Sequence, residues 1–178
     1  VRNIGSLFSD CTKLESIDLS SFATYNVTSM GGLFRGCTNL KKISWGINFN
    51  TDKVTDMWFM FAGCSSIETV NLSNLSTSKV ITFREMFNNC PSLKEIIGLD
   101  NLDTHYAEDF EEMFKGCSSL ENLDLSRFNM SSSRKINGMF SGCTNLKKLN
   151  ISSFTSEHIE NNTIHSLFMG CDNLAELR

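Results

Sequence analysis

Seven cysteines, Cys11, Cys37, Cys64, Cys90, Cys117, Cys143 and Cys171, follow one another at intervals of 26, 27, 26, 27, 26 and 28 residues. Thiols can ligate metal, close disulfides or act as nucleophiles. Metal sites draw ligands from close clusters such as paired C-x-x-C, and none exists here. If the intervals mean stacked neighbours, the thiols lie near 5 Å apart and a disulfide is geometrically conceivable. An odd count in identical register instead favours a structural ladder of buried thiols, each acting as a small hydrophobe. The remaining candidates are sparse. His105, His158 and His165 lack metal-ligand spacing and read as surface residues. Glu108, Asp109, Glu111 and Glu112 crowd one short stretch that nothing in the sequence opposes, which suits a solvated acidic face better than acid–base chemistry. No G-x-S-x-G, phosphate-binding glycine loop or H-E-x-x-H motif occurs, so we read a non-enzymatic chain that needs no cofactor and no metal.

The elements that position the cysteines repeat with them. Three residues before each lies Phe8, Phe34, Phe61, Phe87, Phe114, Phe140 or Phe168. Three after lies Leu14, Leu40, Ile67, Leu93, Leu120, Leu146 or Leu174, with a further aliphatic residue three later. Such a period announces a solenoid. The segment LESIDLSSF carries the L-x-x-L-x-L pattern of a short parallel strand. In MWFMFAG, Met57, Met60 and Phe61 stand at i, i+3 and i+4, which predicts one face of a short helical turn. The residue before each cysteine is Asp10, Gly36, Gly63, Asn89, Gly116, Gly142 or Gly170, types that tolerate positive φ, so a left-handed helix C-cap is expected in every unit.

The predicted fold class is therefore an α/β solenoid, a right-handed leucine-rich-repeat stack of about seven coils of 26–28 residues, each a short parallel strand plus a short helical turn. Strands stacked ~4.8 Å apart make it a rod or shallow arc on the order of 30 Å long. One-residue length changes fall before Phe49 and Leu102 and near Glu160 to Thr163, where loops absorb them. Residues 1–178 read as a single repeat domain and a fragment of a longer array, since neither end shows a polar capping unit. Composition agrees: 40% hydrophobic residues suffice for a core, and Ser and Asn together number 42. A net charge of −4 without a basic run argues against nucleic acid or an anionic membrane as partner. No apolar stretch nears the ~20 residues of a membrane span. Six N-x-[S/T] sequons begin at Asn26, Asn71, Asn74, Asn129, Asn150 and Asn161, as this composition would produce unaided.

The stretches NVTSMGGLFRGCTNLKKI, KVTDMWFMFAGCSSIETVNLSNLST and EEMFKGCSSLENLDLSRF resemble the BspA-like leucine-rich repeats of microbial surface proteins, specifically the mycoplasma-type surface repeat. The resemblance spans the chain; SSSRKINGM and EHIENNTIHSL depart from its V-T-D-M run. It implies a secreted or cell-surface protein for adhesion, whose partner is a host or neighbouring-cell protein or a glycan. It carries over no catalytic residue.

Two surfaces are the candidate binding sites. Trp58 and Phe59 align with Gly31–Gly32, Arg84–Glu85, Glu111–Glu112, Asn137–Gly138 and His165–Ser166, so the register points them outward. They are either an interface anchor or a pair packed over a neighbouring loop. The outward strand column, Asp18, Ser44, Asn71, Ile97, Asp124 and Asn150, is either a contact strip for sugars or protein or a solvated face with hydrogen-bond ladders. Ile97 breaks its polarity and marks a second contact patch. Trp45, aligned with Leu19, Leu72 and Leu125, is expected in the core.

Overall fold

The computed structural model describes residues 1–155 and 164–178. His158, the sequon at Asn161 and the third length change lie outside the described residues. Seven strands follow the repeat: β1 (Ser16–Asp18), β2 (Lys42–Ser44), β3 (Thr69–Asn71), β4 (Glu95–Ile97), β5 (Asn122–Asp124), β6 (Lys148–Asn150) and β7 (Glu176–Leu177). Pairing is parallel and in register, Ile17 beside Ile43, Val70 beside Ile96, and Leu123 beside Leu149. In β3 and β5 the apolar middle residue is buried while its neighbours face water, the alternation read from the sequence.

The predicted helical turns are not found among the described residues. Among the described residues the only helical element is a 3-10 turn, η1 (Leu99–Asn101). Each M-x-x-M-F segment is instead a train of β-turns. In the second unit Leu33, Arg35 and Cys37 donate their N–H groups to the carbonyls of Met30, Gly32 and Phe34, at 3.1, 3.0 and 3.0 Å. The alternate N–H groups point along the stack: Gly32 to Trp58, Phe34 to Met60, and Gly36 to Ala62, at 2.7, 2.9 and 2.7 Å. An α-helix would close these bonds within itself and leave nothing for the next unit. Positive φ every fourth residue forbids one in any case. The seven residues before the cysteines all have it, Gly36 at 71° and Asn89 at 55° for example. They are turn residues rather than helix caps. A second such column, four residues earlier, holds Ser6, Gly32, Phe59, Glu85, Glu112, Gly138 and Ser166. The i, i+3, i+4 spacing of Met57, Met60 and Phe61 is equally the period of this four-residue turn repeat, which is why helix and turn look alike in the sequence.

At Gly63 (φ 75°) an added Cβ would meet nothing closer than 3.5 Å, so backbone conformation alone sets the cost of a substitution. Gly63→Val is expected to destabilise by about 1–2 kcal/mol, the left-handed penalty of a residue with a Cβ. An unchanged urea midpoint would mean that this turn does not need its positive φ.

The core is a set of columns. Rings of Phe8, Phe34, Phe61, Phe87, Phe114, Phe140 and Phe168 stack face to face at 5.4–6.1 Å, nearly parallel throughout. The thiol column runs beside them. Cys37, Cys64, Cys90, Cys117 and Cys143 are buried, Cys171 is half-buried, and all seven are free thiols. Cys11, in the first unit, is exposed, contrary to the fully buried ladder expected. Each thiol from Cys37 onward also donates to the phenylalanine carbonyl of the unit before, for example Cys64 Sγ to Phe34 at 3.2 Å and Cys90 Sγ to Phe61 at 3.1 Å. That bond separates cysteine from a mere small hydrophobe such as alanine. A hydroxyl column matches it on another side: Thr24, Thr51, Thr77 and Thr104 donate to Asn50, Ser76, Asp103 and Asn129 carbonyls at 2.8–3.0 Å. Met130 follows at the next step of that column.

Candidate functional site

The stack presents a strand face and a turn face. On the turn face Trp58 is 44% exposed and Phe59 half-buried. Their rings meet edge-on at 5.1 Å, and the Arg35 guanidinium sits 5.3 Å from the Phe59 centroid. Trp58 lies over Gly31: a Cβ there would come within 2.1 Å of the indole Nε1. Local packing and exposure therefore coexist, since the indole fills the space a side chain at 31 would take and leaves its outer surface to water. Phe59 holds φ at 55°, where Gly32 and Gly138 stand in two other units. Ser6, Glu85, Glu112 and Ser166 hold the same conformation in their units, so the turn repeat imposes this backbone and Phe59 adopts it against its preference.

The acidic stretch next to this corner is not unopposed. Arg84 pairs with Glu111 and lies 3.4 Å from Glu85, and Lys115 reaches Glu112 at 2.7 Å. Asn88 Nδ2 bridges Glu85 and Glu112 at 3.0 and 2.9 Å. Glu108 lies 3.8 Å from Arg134. Arg84 to Glu111, Asn88 to Glu112 and Glu108 to Arg134 cross from one unit to the next, whereas Arg84 to Glu85, Asn88 to Glu85 and Lys115 to Glu112 are local in sequence. Burial and the neighbouring Glu112 charge raise the Glu85 pKa above the usual carboxylate range. Beside it a cavity of 210 Å³ runs over Gly36 and Gly63, walled by Arg35, Phe59, Glu85 and Asn88.

On the strand face, Asp18, Asn71 and Asp124 are exposed, Ser44 and Asn150 half-buried, and Ile97 is 40% exposed. Four of the six have a structural duty that the sequence reading missed. Asp18, Asn71, Asp124 and Asn150 each accept the N–H two residues on, from Ser20, Ser73, Ser126 and Ser152, at 2.8–3.1 Å. These Asx turns fold the chain off the strand. For Asp18 and Asp124 the same bonds hold the carboxyl below the usual range. The D/N-x-S triplets were the available signal.

The units without an Asx turn are the second and fourth, with Ser44 and Ile97, and these also carry the extra residue before Phe49 and Leu102. Their strands do not pair onward: the sheet is split into β1-β2, β3-β4 and β5-β6-β7. The cause is local. Leu19, Leu72, Leu125 and Ile151 donate their N–H groups to the next unit's carbonyl at 2.7–2.9 Å. In the second unit the Trp45 indole Nε1 makes that bond instead, to Asn71 at 2.7 Å. Trp45 is accordingly half-buried against Phe34 and Phe49, where a core position was expected. Gly98 (φ 79°), at the same place in the fourth unit, enters η1 rather than continuing the ladder. Clefts lie over both splits, 220 Å³ between β2 and β3 and 590 Å³ between β4 and β5, and a further one of 450 Å³ lies over the paired strands β5, β6 and β7.

Among the described residues no group of three His, Cys, Asp or Glu side chains is placed to hold a metal, and no helix is long and apolar enough to cross a membrane.

No curated protein matches the chain. Among solved structures, a leucine-rich repeat protein of T. pallidum is 22% identical with a TM-score of 0.49, over 99% of this chain and 62% of that one. A leucine-rich repeat protein from Bacteroides ovatus is 17% identical with a TM-score of 0.41, over 100% of this chain and 64% of that one. The chain thus spans less than two thirds of either protein. The resemblance to the mycoplasma-type repeat is matched directly by a family model over residues 2–98 and 92–176, and the chain belongs to that family, described as "Mycoplasma protein of unknown function, DUF285".

Proposed function

We propose that this chain is a non-enzymatic interaction module: a right-handed stack of seven coils, part of a longer array displayed at the cell surface or secreted. It binds a host or neighbouring-cell protein or glycan through the solenoid surface. The observation that carries the reading is the exposed Trp58 beside Phe59, a strained aromatic where two other units have glycine. Aromatic pairs with an arginine alongside have the composition of interface hot spots. The regular turn ladder beneath them supplies the rigid support that such an anchor needs.

The test is a binding screen against matrix proteins, whole host cells and a glycan array, comparing wild type with a Trp58→Ser/Phe59→Gly double variant. Glycine fits the backbone of position 59, so the variant keeps its fold, to be confirmed by matched melting. Ligand lost only in the variant, by about tenfold or more in Kd, places the site on the turn face. Equal binding moves it to the strand face. Silence from both proteins favours a stiff spacer that projects another domain, a reading that the uninterrupted phenylalanine stack also suits.

A further inference from the structure

We infer that the flank of the strand face is a self-complementary surface whose partner is a second copy of this chain, packed antiparallel about a two-fold axis. The inference goes beyond the turn-face reading and uses none of its residues. Four residues after each of the first six cysteines stand Glu15, Lys41, Glu68, Lys94, Glu121 and Lys147, so the sign of charge alternates from unit to unit along one column. Each lysine reaches back to the glutamate of the preceding unit, Lys41 to Glu15 at 3.2 Å, Lys94 to Glu68 at 2.8 Å and Lys147 to Glu121 at 2.9 Å. All six side chains are more than half exposed, so the charges of each clasp stay open to a partner. Exposed pairs of this kind add little to the stability of a fold.

The column is divided where the sheet is divided. The three clasps join the first unit to the second, the third to the fourth and the fifth to the sixth, the same couples whose strands pair. From the first unit to the sixth, successive strands are therefore paired, parted, paired, parted and paired, with cysteine intervals of 26, 27, 26, 27 and 26 residues. That order reads the same from either end. A copy turned end for end brings partings opposite partings and clasped couples opposite clasped couples, and no uniform strand spacing is required.

Sign then selects the orientation. With the axis between the third and fourth units, Glu15 faces Lys147 of the partner copy, Lys41 faces its Glu121, and Glu68 faces its Lys94. A two-fold axis lying across the stack sets every column against itself, so the neighbouring columns obey the same mapping. Lys42, Glu95 and Lys148 face Asn122, Thr69 and Ser16 of the partner copy, and Asp18 and Asp124 face its Asn150 and Ser44. No like charges meet within a column. Moving the axis onto the fourth unit sets Lys41 against Lys147 and Glu68 against Glu121, and a parallel copy in register sets every charge against its own kind. Opposed like charges are costly, so the column excludes both. A parallel copy staggered by one unit matches in sign but engages one unit fewer. A partner of uniform charge would meet as many like charges as opposite ones. The antiparallel contact is isologous, the form in which two-fold assemblies close.

The experiment is sedimentation velocity over a concentration series, with matched melts confirming the fold of each variant. The expected result is a reversible dimer at about 50 mM NaCl whose Kd weakens about tenfold or more by about 500 mM, as screening shortens the reach of the charges. Glu15→Lys/Lys41→Glu keeps the net charge and the clasp within the chain but sets like charges against the partner copy at both ends of the contact. It is expected to weaken the dimer by about tenfold or more. Adding Glu121→Lys/Lys147→Glu restores opposite signs in the antiparallel register and not in the staggered parallel one, so the affinity returns. A chain that stays monomeric to ~1 mM at the lower salt, a first exchange without effect, or a second exchange without rescue overturns the inference. The turn-face screen reads other residues, so the two readings fail separately. A monomer that still captures a matrix protein or cells through Trp58 sinks the self-pairing alone, and a dimer with the expected loss and rescue beside a silent screen upholds it.

Discussion

Above about pH 9 the melting temperature of this chain is expected to fall steeply, because the folded state resists ionisation of its buried thiols and the unfolded state does not. Burial is the main cause. It pushes Cys90 and Cys143 up to about 12 and raises Cys64 and Cys117 strongly, against a thiol in the unfolded chain near 9. The raised folded values mean that stability from these groups is fully present below about pH 9 and is lost as the pH climbs toward the folded values. Each thiol that ionises only on unfolding removes about 1.4 kcal/mol per pH unit, so four acting together remove on the order of 5 kcal/mol per unit. That is comparable with the whole stability of an ordinary domain, about 5–15 kcal/mol. The check is a set of melts followed by circular dichroism from pH 7 to 10, under reducing conditions. A Cys90→Ala variant should show a shallower alkaline slope and a lower neutral-pH stability, since it loses the S–H bond to Phe61. A melting temperature that stays level to pH 10 would show that the interior thiols are not shielded as the column implies.

The second large effect concerns the phenylalanine stack. Phe87→Ala removes a fully buried ring held between Phe61 at 5.4 Å and Phe114 at 5.8 Å, and is expected to cost about 3–5 kcal/mol. It also interrupts the column at its middle. In a quasi-one-dimensional array each unit contacts only its neighbours, so the two halves lose their coupling and the urea transition broadens, with a lower apparent m value. Phe8→Ala, at a half-buried ring on the first unit, should cost much less and leave the transition sharp. Equal costs at positions 8 and 87 would contradict a stability built up by stacking.

These two predictions rest on columns that were legible in the sequence alone. Cysteine, phenylalanine and the leucine series recur in fixed register because every unit must place the same side chain over its copy in the next. The positive-φ column before the cysteines was legible for a related reason: Gly, Asn and Asp are the cheapest residues in that conformation. The second column was hidden, since Phe59, Glu85 and Glu112 occupy it against their preference. Without it the turn train reads as helix, for the apolar spacing is the same.

Other features were decided by the tertiary structure. Whether Trp58 is anchor or packing depends on Gly31, a residue 27 positions away whose missing side chain leaves the indole a seat. The opposition of Glu111 by Arg84, and of Glu15, Glu68 and Glu121 by Lys41, Lys94 and Lys147, arises only once units are stacked. The clefts show the division most sharply. One extra residue after Ser44 or Ile97 is visible in the chain as a change of length, which a loop was expected to absorb. In these two units the Trp45 indole or the Gly98 entry to η1 stands where other units place the rung at the C-terminal end of the strand, and the strands do not pair onward. The sequence alone therefore determined which side chains repeat, because burial selects residue types one position at a time. The tertiary structure alone decided where the strands part, because that depends on the direction of one backbone bond relative to a unit 26 or 27 residues on.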